Sequence, residues 1–187
     1  MKKIIIGVMI VISFVFVVKI SCVQIQNIMG NETSQEENCE QLSWTLKNGI
    51  LIISGPGKIP TDFFEDNLID PDQPKELIIE RGITEIEPDA FRGCNSLKKV
   101  TLPEGLKTIG SRAFQGCQNL DYIEIPDTVT YLGREAFLLC SKLKYVKLSK
   151  GLKSISGAAF ENCASLESIC IPEGVETIDW YAFNFCR

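Results

Sequence analysis

Apolar residues recur along positions 76–187 at a fixed interval of 23 residues. The repeated unit reads L-x-x-[VI]-x-[LI]-P-x-x-[LV]-x-x-[IL]-x-x-x-A-F-x-x-C-x-x, and about five copies follow one another. Its two most regular columns hold phenylalanine, at Phe91, Phe114, Phe137, Phe160 and Phe183, and cysteine, at Cys94, Cys117, Cys140, Cys163 and Cys186. A period of this length predicts a solenoid, in which equivalent residues stack from coil to coil and form the core.

The pattern inside one unit predicts a short strand followed by a tight return. Val100 and Leu102 are separated by one polar residue, which points both side chains to one face of a strand. Pro103 cannot donate to a strand ladder, so the strand is expected to end there. The apolar pair Leu106 and Ile109 follows a bend, and the Ala-Phe-x-x-Cys stretch is expected to return as one helical or 3₁₀ turn. The predicted fold is therefore an α/β solenoid with one short parallel strand per coil.

Residues 39–75 predict a cap and a connector in front of the repeats. Two apolar runs, 42–46 and 50–53, flank a turn that contains Asn48 and Gly49. Asn-Gly between two apolar runs is the strongest local signal for a β-hairpin. This hairpin is expected to cover the first coil, because an uncapped solenoid exposes an apolar cross-section and a ladder edge.

One full copy of the unit shows the motif most clearly: Leu120-x-x-Ile123-x-Ile125-Pro126-x-x-Val129-x-x-Leu132-Gly133-x-x-Ala136-Phe137-x-x-Cys140. This motif resembles the BspA-like leucine-rich repeat, which is found on surface proteins of mucosal bacteria and of parasitic protists. The resemblance covers residues 76–187, and about ten columns agree over four full copies. It implies a secreted or surface-displayed module for protein binding or adhesion, and it implies no particular ligand.

The N-terminus has the features of a secretory signal peptide over residues 1–22. Lys2 and Lys3 precede an apolar run at positions 4–18. As a helix this run would span about 22 Å, which is short of the roughly 30 Å hydrocarbon core of a bilayer. A cleaved signal is therefore favoured over a membrane-spanning anchor, and the expected location is secreted or cell-surface.

Two modification motifs lie at the end of this leader and just after it. Ile20-Ser21-Cys22 resembles the end of a bacterial lipobox, which would attach a lipid at Cys22, although the charge of Lys19 counts against the match. The polar stretch 23–38 predicts a flexible spacer. It contains a glycosylation sequon at Asn31, which matters only in a eukaryotic source. Membrane contact is expected only through an N-terminal anchor.

Charge and residue types exclude several classes of function. The whole chain carries a net charge of −5; residues 1–22 contain three lysines and no acid, so removing them leaves 16 basic and 24 acidic residues, a net charge of −8. An acidic protein repels phosphate backbones, so no nucleic-acid partner is expected. The chain has no histidine, no phosphate-binding glycine loop and no nucleophile elbow. We predict no enzyme activity, no catalytic residue, no cofactor and no metal site.

Eight cysteines in an exported chain would ordinarily indicate a disulfide framework. Five of them, however, form the internal column of the repeat, where a small and readily buried side chain is needed. We therefore predict free buried thiols in this column. Bridges between stacked neighbours stay open as an alternative, although parallel Cβ vectors suit them poorly. Zinc is disfavoured because the chain has no Cys-x-x-Cys pair and no histidine.

The outward row of the predicted strands is the candidate binding surface. It consists of Lys99, Thr101, Tyr122, Glu124, Tyr145 and Lys147. Tyr122 and Tyr145 fall on adjacent strands, and paired tyrosines offer the rigid amphipathic area that is enriched at binding hot spots. The alternative is that they pack across strands and only stabilise the sheet. The expected partner is a protein or a matrix macromolecule of unknown identity.

Two further alternatives are left open by the sequence. The coils could form a passive stalk that spaces another domain from a surface. The chain also stops at Cys186-Arg187, directly after a full Ala-Phe-x-x-Cys motif, which indicates either a fragment of a longer protein or an end that a partner covers. The fragment is favoured, because no residue of the last unit is adapted to solvent.

Overall fold

The structure is a computed structural model, and it describes residues 42–186. These residues belong to one compact unit. The predicted signal peptide, the spacer and the modification sites at Cys22 and Asn31 lie outside the described residues, so they stay predictions. Within the described part of the chain, no helix is both long enough and apolar enough to cross a membrane.

Twelve short strands and one helix follow one another in the described residues. In chain order they are β1 (Ser43–Lys47), β2 (Ile50–Ser54), β3 (Gly57–Ile59), α1 (Phe63–Asn67), β4 (Glu76–Ile79), β5 (Ile83–Ile86), β6 (Lys99–Thr101), β7 (Thr108–Ile109), β8 (Tyr122–Glu124), β9 (Tyr131–Leu132), β10 (Tyr145–Lys147), β11 (Ser154–Ile155) and β12 (Thr177–Ile178). Neighbouring coils run in register at the spacing of the sequence repeat, as the parallel pairs Leu77 with Val100 and Ile123 with Val146 show.

The strands form two faces of the solenoid. The first sheet has the order β1-β2-β4-β6-β8-β10, the second has the order β3-β5-β7-β9, and β11 and β12 form a separate pair. Most coils therefore contribute two strands, whereas the sequence pattern predicts one. The additional strand comes from pairs such as Thr108-Ile109, which align with Tyr131-Leu132 of the next coil. β-Branched and aromatic residues fit an extended backbone, and each neighbouring coil offers a ladder partner at the same position.

The predicted helical or 3₁₀ return is not found in the coils that carry the Ala-Phe-x-x-Cys motif. That segment is a run of hydrogen-bonded turns, and α1 is the only helix in residues 42–186. Residues such as Asp89 (φ 61°) and Gly93 (φ 74°) adopt left-handed backbone angles, so a right-handed helix cannot propagate. Every second N–H of the segment donates to the next coil instead, as from Phe91 N to Ala113 O at 2.8 Å.

The core is the stack of equivalent side chains enclosed by the two strand faces and the turn segment. The rings of Phe91, Phe114, Phe137, Phe160 and Phe183 are stacked with centroid separations of 5.3, 5.3, 5.4 and 5.5 Å. The cysteine column and the leucine, valine and isoleucine columns surround this stack and are largely buried. Since each coil has no separate core, its stability depends on its neighbours.

An antiparallel hairpin lies at the N-terminal edge of the first sheet. β1 pairs with β2 across the turn at Asn48 and Gly49, and β2 continues the sheet in parallel with β4. The Trp44 indole donates to Asn67 Oδ1 at 2.8 Å, which ties the hairpin to the end of α1. In α1 the rings of Phe63 and Phe64 pack on Phe91 at 6.2 and 5.9 Å. The capping role of the hairpin stays a prediction.

Candidate binding surface

The first sheet presents the predicted surface residues on one face. They are Lys99, Thr101, Tyr122, Glu124, Tyr145 and Lys147, all of them exposed. Tyr122 and Tyr145 are direct register partners on β8 and β10, and Glu124 is the register partner of Lys147. The residues between them are buried, because side chains alternate across a strand. The structure therefore brings the predicted set together in two adjacent rows.

The charges on this face are paired between neighbouring coils. Lys99 Nζ donates to Glu76 Oε1 at 2.6 Å, and this hydrogen bond raises the pKa of the lysine. Lys147 Nζ lies 3.4 Å from Glu124 Oε2. Such exposed pairs contribute little to stability, but they leave the face close to neutral. The tyrosines beside them stay open to solvent.

An apolar cavity of about 610 Å³ lies at the C-terminal end of the same sheet. Its apolar walls come from the strand segments of two coils, at Val146, Leu148, Ile169 and Ile171. The last coil joins β10 only through one parallel bridge, between Lys147 and Cys170, and both residues line the cavity together with Tyr145. The cavity adds an apolar recess beside the tyrosine row. The repeat pattern gave no signal for it, because the strand residues of both coils fit the same consensus.

The cysteine column is a structural element and not a reactive site. The described cysteines are free, and Cys94, Cys117, Cys140 and Cys163 are buried. Burial raises the pKa of these thiols. Each thiol from Cys117 onward in the column donates to a phenylalanine carbonyl of the preceding coil, for example to Phe91 O at 3.3 Å. In residues 42–186 no group of three or more histidine, cysteine or acidic side chains is arranged to hold a metal ion.

The sequence analysis missed a group of exposed aromatic residues in the last described coil. Trp180, Tyr181 and Phe185 are 84, 63 and 63% exposed. Earlier coils carry no aromatic residue at the same repeat positions, which hold for example Gly157 in the column of Trp180 and Asn162 in that of Phe185. A comparison of the variable columns, and not only of the apolar ones, would have revealed this departure.

A solenoid of short parallel strands with a regular leucine-rich unit and an exposed sheet face defines a leucine-rich repeat protein. The family model of the BspA type leucine rich repeat region matches residues 58–187, in six copies. The chain therefore belongs to the BspA-type leucine-rich repeat family, as its motif predicted. A search of curated proteins found no match.

Solved structures of bacterial repeat proteins share this fold. A leucine-rich repeat protein from Bacteroides ovatus is 23% identical with a TM-score of 0.50, and the match covers 76% of this chain and 49% of that one. A leucine rich cell surface protein from Faecalibacterium prausnitzii is 24% identical with a TM-score of 0.50, and the match covers 78% of this chain and 50% of that one. The pneumococcal vaccine antigen PcpA is 23% identical with a TM-score of 0.57, and the match covers 82% of this chain and 47% of that one. The chain thus spans about half the length of these three structures, and the likeness concerns the fold alone.

Proposed function

We propose that the chain is an exported, non-catalytic module that binds a protein or a matrix macromolecule through the exposed face of the first sheet. The observation that carries this proposal is the register pair Tyr122 and Tyr145, which are 37 and 52% exposed on the last two strands of a face whose lysines and glutamates are already paired. Aromatic residues in such a position add apolar area at a low cost in side-chain entropy. The cavity beside Tyr145 offers depth for an anchoring side chain of the partner.

Export is supported by the leader and by the family. Residues 1–22 combine two lysines at the start with an apolar run, as secretory signals do. One similar structure is that of a cell surface protein and another is that of a vaccine antigen, which fits a surface-exposed or secreted location. Intact mass spectrometry of the secreted and the membrane-extracted protein checks this proposal. It separates signal cleavage, a lipid at Cys22 and a glycan at Asn31, and an intact leader in both fractions would refute cleavage.

A double substitution tests the binding face. Tyr122→Ser with Tyr145→Ser should leave the fold intact, because both side chains point away from the core. Truncating two hot-spot aromatics removes about 2 kcal/mol or more, so adhesion to cells or immobilised matrix proteins should weaken roughly thirtyfold. Tyr131→Ser is the matched control, because Tyr131 is 50% exposed but lies on the second sheet. Equal binding by the double variant and the control would place the partner elsewhere.

The alternative function is a passive stalk. It is favoured by one observation, namely that the chain spans about half of the similar bacterial structures, so that the repeats could space a further domain. A stalk tolerates changes on the exposed face of the first sheet. Unchanged adhesion of the double tyrosine variant would therefore support this alternative.

A further inference from the structure

One edge of the first sheet carries lysines that acidic residues do not neutralise. Lys75, Lys98, Lys142 and Lys144 are exposed in the segments that lead into β4, β6 and β10. We call these four residues the lysine edge. Among the described residues, no carboxylate lies within ion-pair distance of the first three. The fourth, Lys144, lies 3.9 Å from Asp121. Three unpaired positive charges therefore remain on this edge.

The backbone holds the lysine edge in a line along the coil stack. Lys98 N donates to Lys75 O at 2.8 Å. In the next two coils Asp121 N donates to Lys98 O at 3.2 Å, and Lys144 N donates to Asp121 O at 2.9 Å. Each step of such a ladder measures about 4.8 Å, so the row from Lys75 to Lys144 spans about 14 Å. The lysines are therefore separated by multiples of one fixed step.

The lysine edge borders the tyrosine row of the same sheet. Lys144 directly precedes Tyr145, and Tyr145 is the register partner of Tyr122, so the two rows run side by side along the coil stack. Lys142 Nζ donates to Asn119 Oδ1 at 2.6 Å, a neutral partner that does not cancel its charge. Charge and amphipathic aromatic area are thus offered together to an elongated ligand.

Most of the negative charge of the sheet lies away from this edge. Two acidic side chains, Asp72 and Asp121, accompany the four lysines. Glu80 and Glu104 follow β4 and β6 and lie at the opposite edge. An extended backbone from Lys75 to Glu80 covers about 16 Å, which exceeds the Debye length of about 8 Å at physiological ionic strength. The lysine edge therefore acts on a ligand as a local positive surface, although the whole chain is acidic.

We propose that the lysine edge and the tyrosine row bind a linear acidic polysaccharide, whose sulfate or carboxylate groups repeat along the polymer. This inference rests on the proposed function and names the chemistry of its partner. Lysines at multiples of one step fit a ligand with regularly repeated charges, because one polymer chain along the row can meet several of them at once. The acidic side chains of a folded protein have no such fixed repeat.

The test is equilibrium binding of labelled heparin, which carries sulfates and carboxylates, and of hyaluronan, which carries carboxylates alone. The sample is the chain without its apolar leader, residues 23–187, which contains all described residues. Heparin should bind, and hyaluronan should bind more weakly because its charge is lower. The affinity should fall steeply between about 50 and 200 mM salt, since each lysine contact releases a counterion. Uncharged dextran should not bind.

A pair of charge-matched variants locates the site. Lys98→Gln with Lys142→Gln should weaken heparin binding at least about tenfold and reduce its salt dependence. Arg81→Gln with Lys107→Gln is the control, because these two side chains are also exposed and have no ion pair among the described residues, but lie outside the lysine edge. Lys98→Glu is a second variant that should weaken binding if the double variant does not fold.

Three results would overturn the inference. They are a wild-type chain that does not bind heparin, equal heparin binding by the two double variants, and polyglutamate of equal charge that binds as tightly as heparin. The last result would indicate an acidic protein as the partner. The proposed function is judged separately, by the adhesion of the double tyrosine variant, so either can fail while the other stands.

Discussion

Cysteine in the repeat column combines a small volume with a weak hydrogen-bond donor. Cys117 and Cys140 are fully buried, and their thiols donate to Phe91 O and Phe114 O of the preceding coils at 3.3 Å. Alanine would fill less space and would lose this bond between coils. The same burial disfavours the thiolate, because a charged sulfur would have no solvation in the apolar core.

Buried thiols make the stability of the fold sensitive to alkaline pH. Burial raises the pKa of Cys117 and Cys140 in the folded state. As the pH rises above about 8.5, the unfolded chain loses thiol protons that the folded chain keeps, so the free energy of unfolding falls. Each buried thiol should contribute a slope of about 1.4 kcal/mol per pH unit. Guanidinium unfolding between pH 8 and 10.5 with a non-thiol reductant measures this slope.

Cys140→Ala isolates the contribution of one thiol. The variant is expected to be less stable at neutral pH and to show a shallower alkaline slope than the wild type. Ile155→Val is the control, since it trims the core and keeps every cysteine. An unchanged slope in Cys140→Ala would mean that the alkaline loss has another source.

At the scale of elements, the coils approach each other most closely at Gly110 and Gly133, which lie between the second sheet and the turn segment. A Cβ atom at Gly133 would lie 2.4 Å from Ser111 N and 2.5 Å from Gly110 C. Both atoms belong to the backbone of the preceding coil, which cannot move aside without breaking the bond from Gly133 N to Ile109 O. The glycine therefore sets the distance between the coils at this corner.

Gly133→Ala should destabilise the protein by roughly 1–3 kcal/mol, which is typical of overpacking. Gly174→Ala is the matched control in the last coil, because its Cβ atom would meet nothing closer than 3.4 Å. Thermal unfolding of the two variants measures the difference. Equal midpoints would show that the coils can separate at Gly133 without cost.

The sequence pattern predicts some of these elements and not others. Val100 and Leu102 indicate the first strand because one polar residue separates two apolar positions. The pair Thr108-Ile109 gives no such signal, since so short a segment cannot show a period, and its partner strand lies one full repeat away in the chain. The sequence pattern predicts a helical or 3₁₀ turn over the Ala-Phe-x-x-Cys stretch, yet bonds to the next coil hold Asp89 and Arg112 at left-handed angles.

Part of the candidate site could be predicted from the sequence, and part of it could not. The tyrosine row was predictable from strand alternation and from the fixed offset between coils, which make Tyr122 and Tyr145 register partners. The cavity beside Tyr145 was not, because it depends on how the last strand lies against β10. Trp180 was not predicted either, because its column varies from coil to coil and carries no periodic signal.

For the whole molecule, charge pairs at the repeat offset reinforce the stacking register. Arg112 donates to both carboxylate oxygens of Asp89 at 3.0 and 2.9 Å, and Lys99 bonds Glu76 one coil away. A bidentate pair holds its geometry better than single contacts do. Exposed pairs stabilise little, so the apolar columns must supply most of the free energy that joins the coils.

The central claim is that stability passes between adjacent coils through these columns. Phe137 stacks on Phe114 and Phe160 at 5.3 and 5.4 Å and is fully buried. Phe137→Ala should therefore cost about 3–5 kcal/mol. Nearest-neighbour coupling requires that both flanking coils lose order first.

Native-state hydrogen exchange on Phe137→Ala tests this claim most directly, with the exposed Lys144→Ala as the control. We predict that the N–H groups of Phe114 and residue 137, which donate to Ala136 O and Ala159 O at 2.8 Å, lose protection in the phenylalanine variant and keep it in the lysine variant. Protection and a thermal midpoint that match the lysine control would contradict the stacked-coil account.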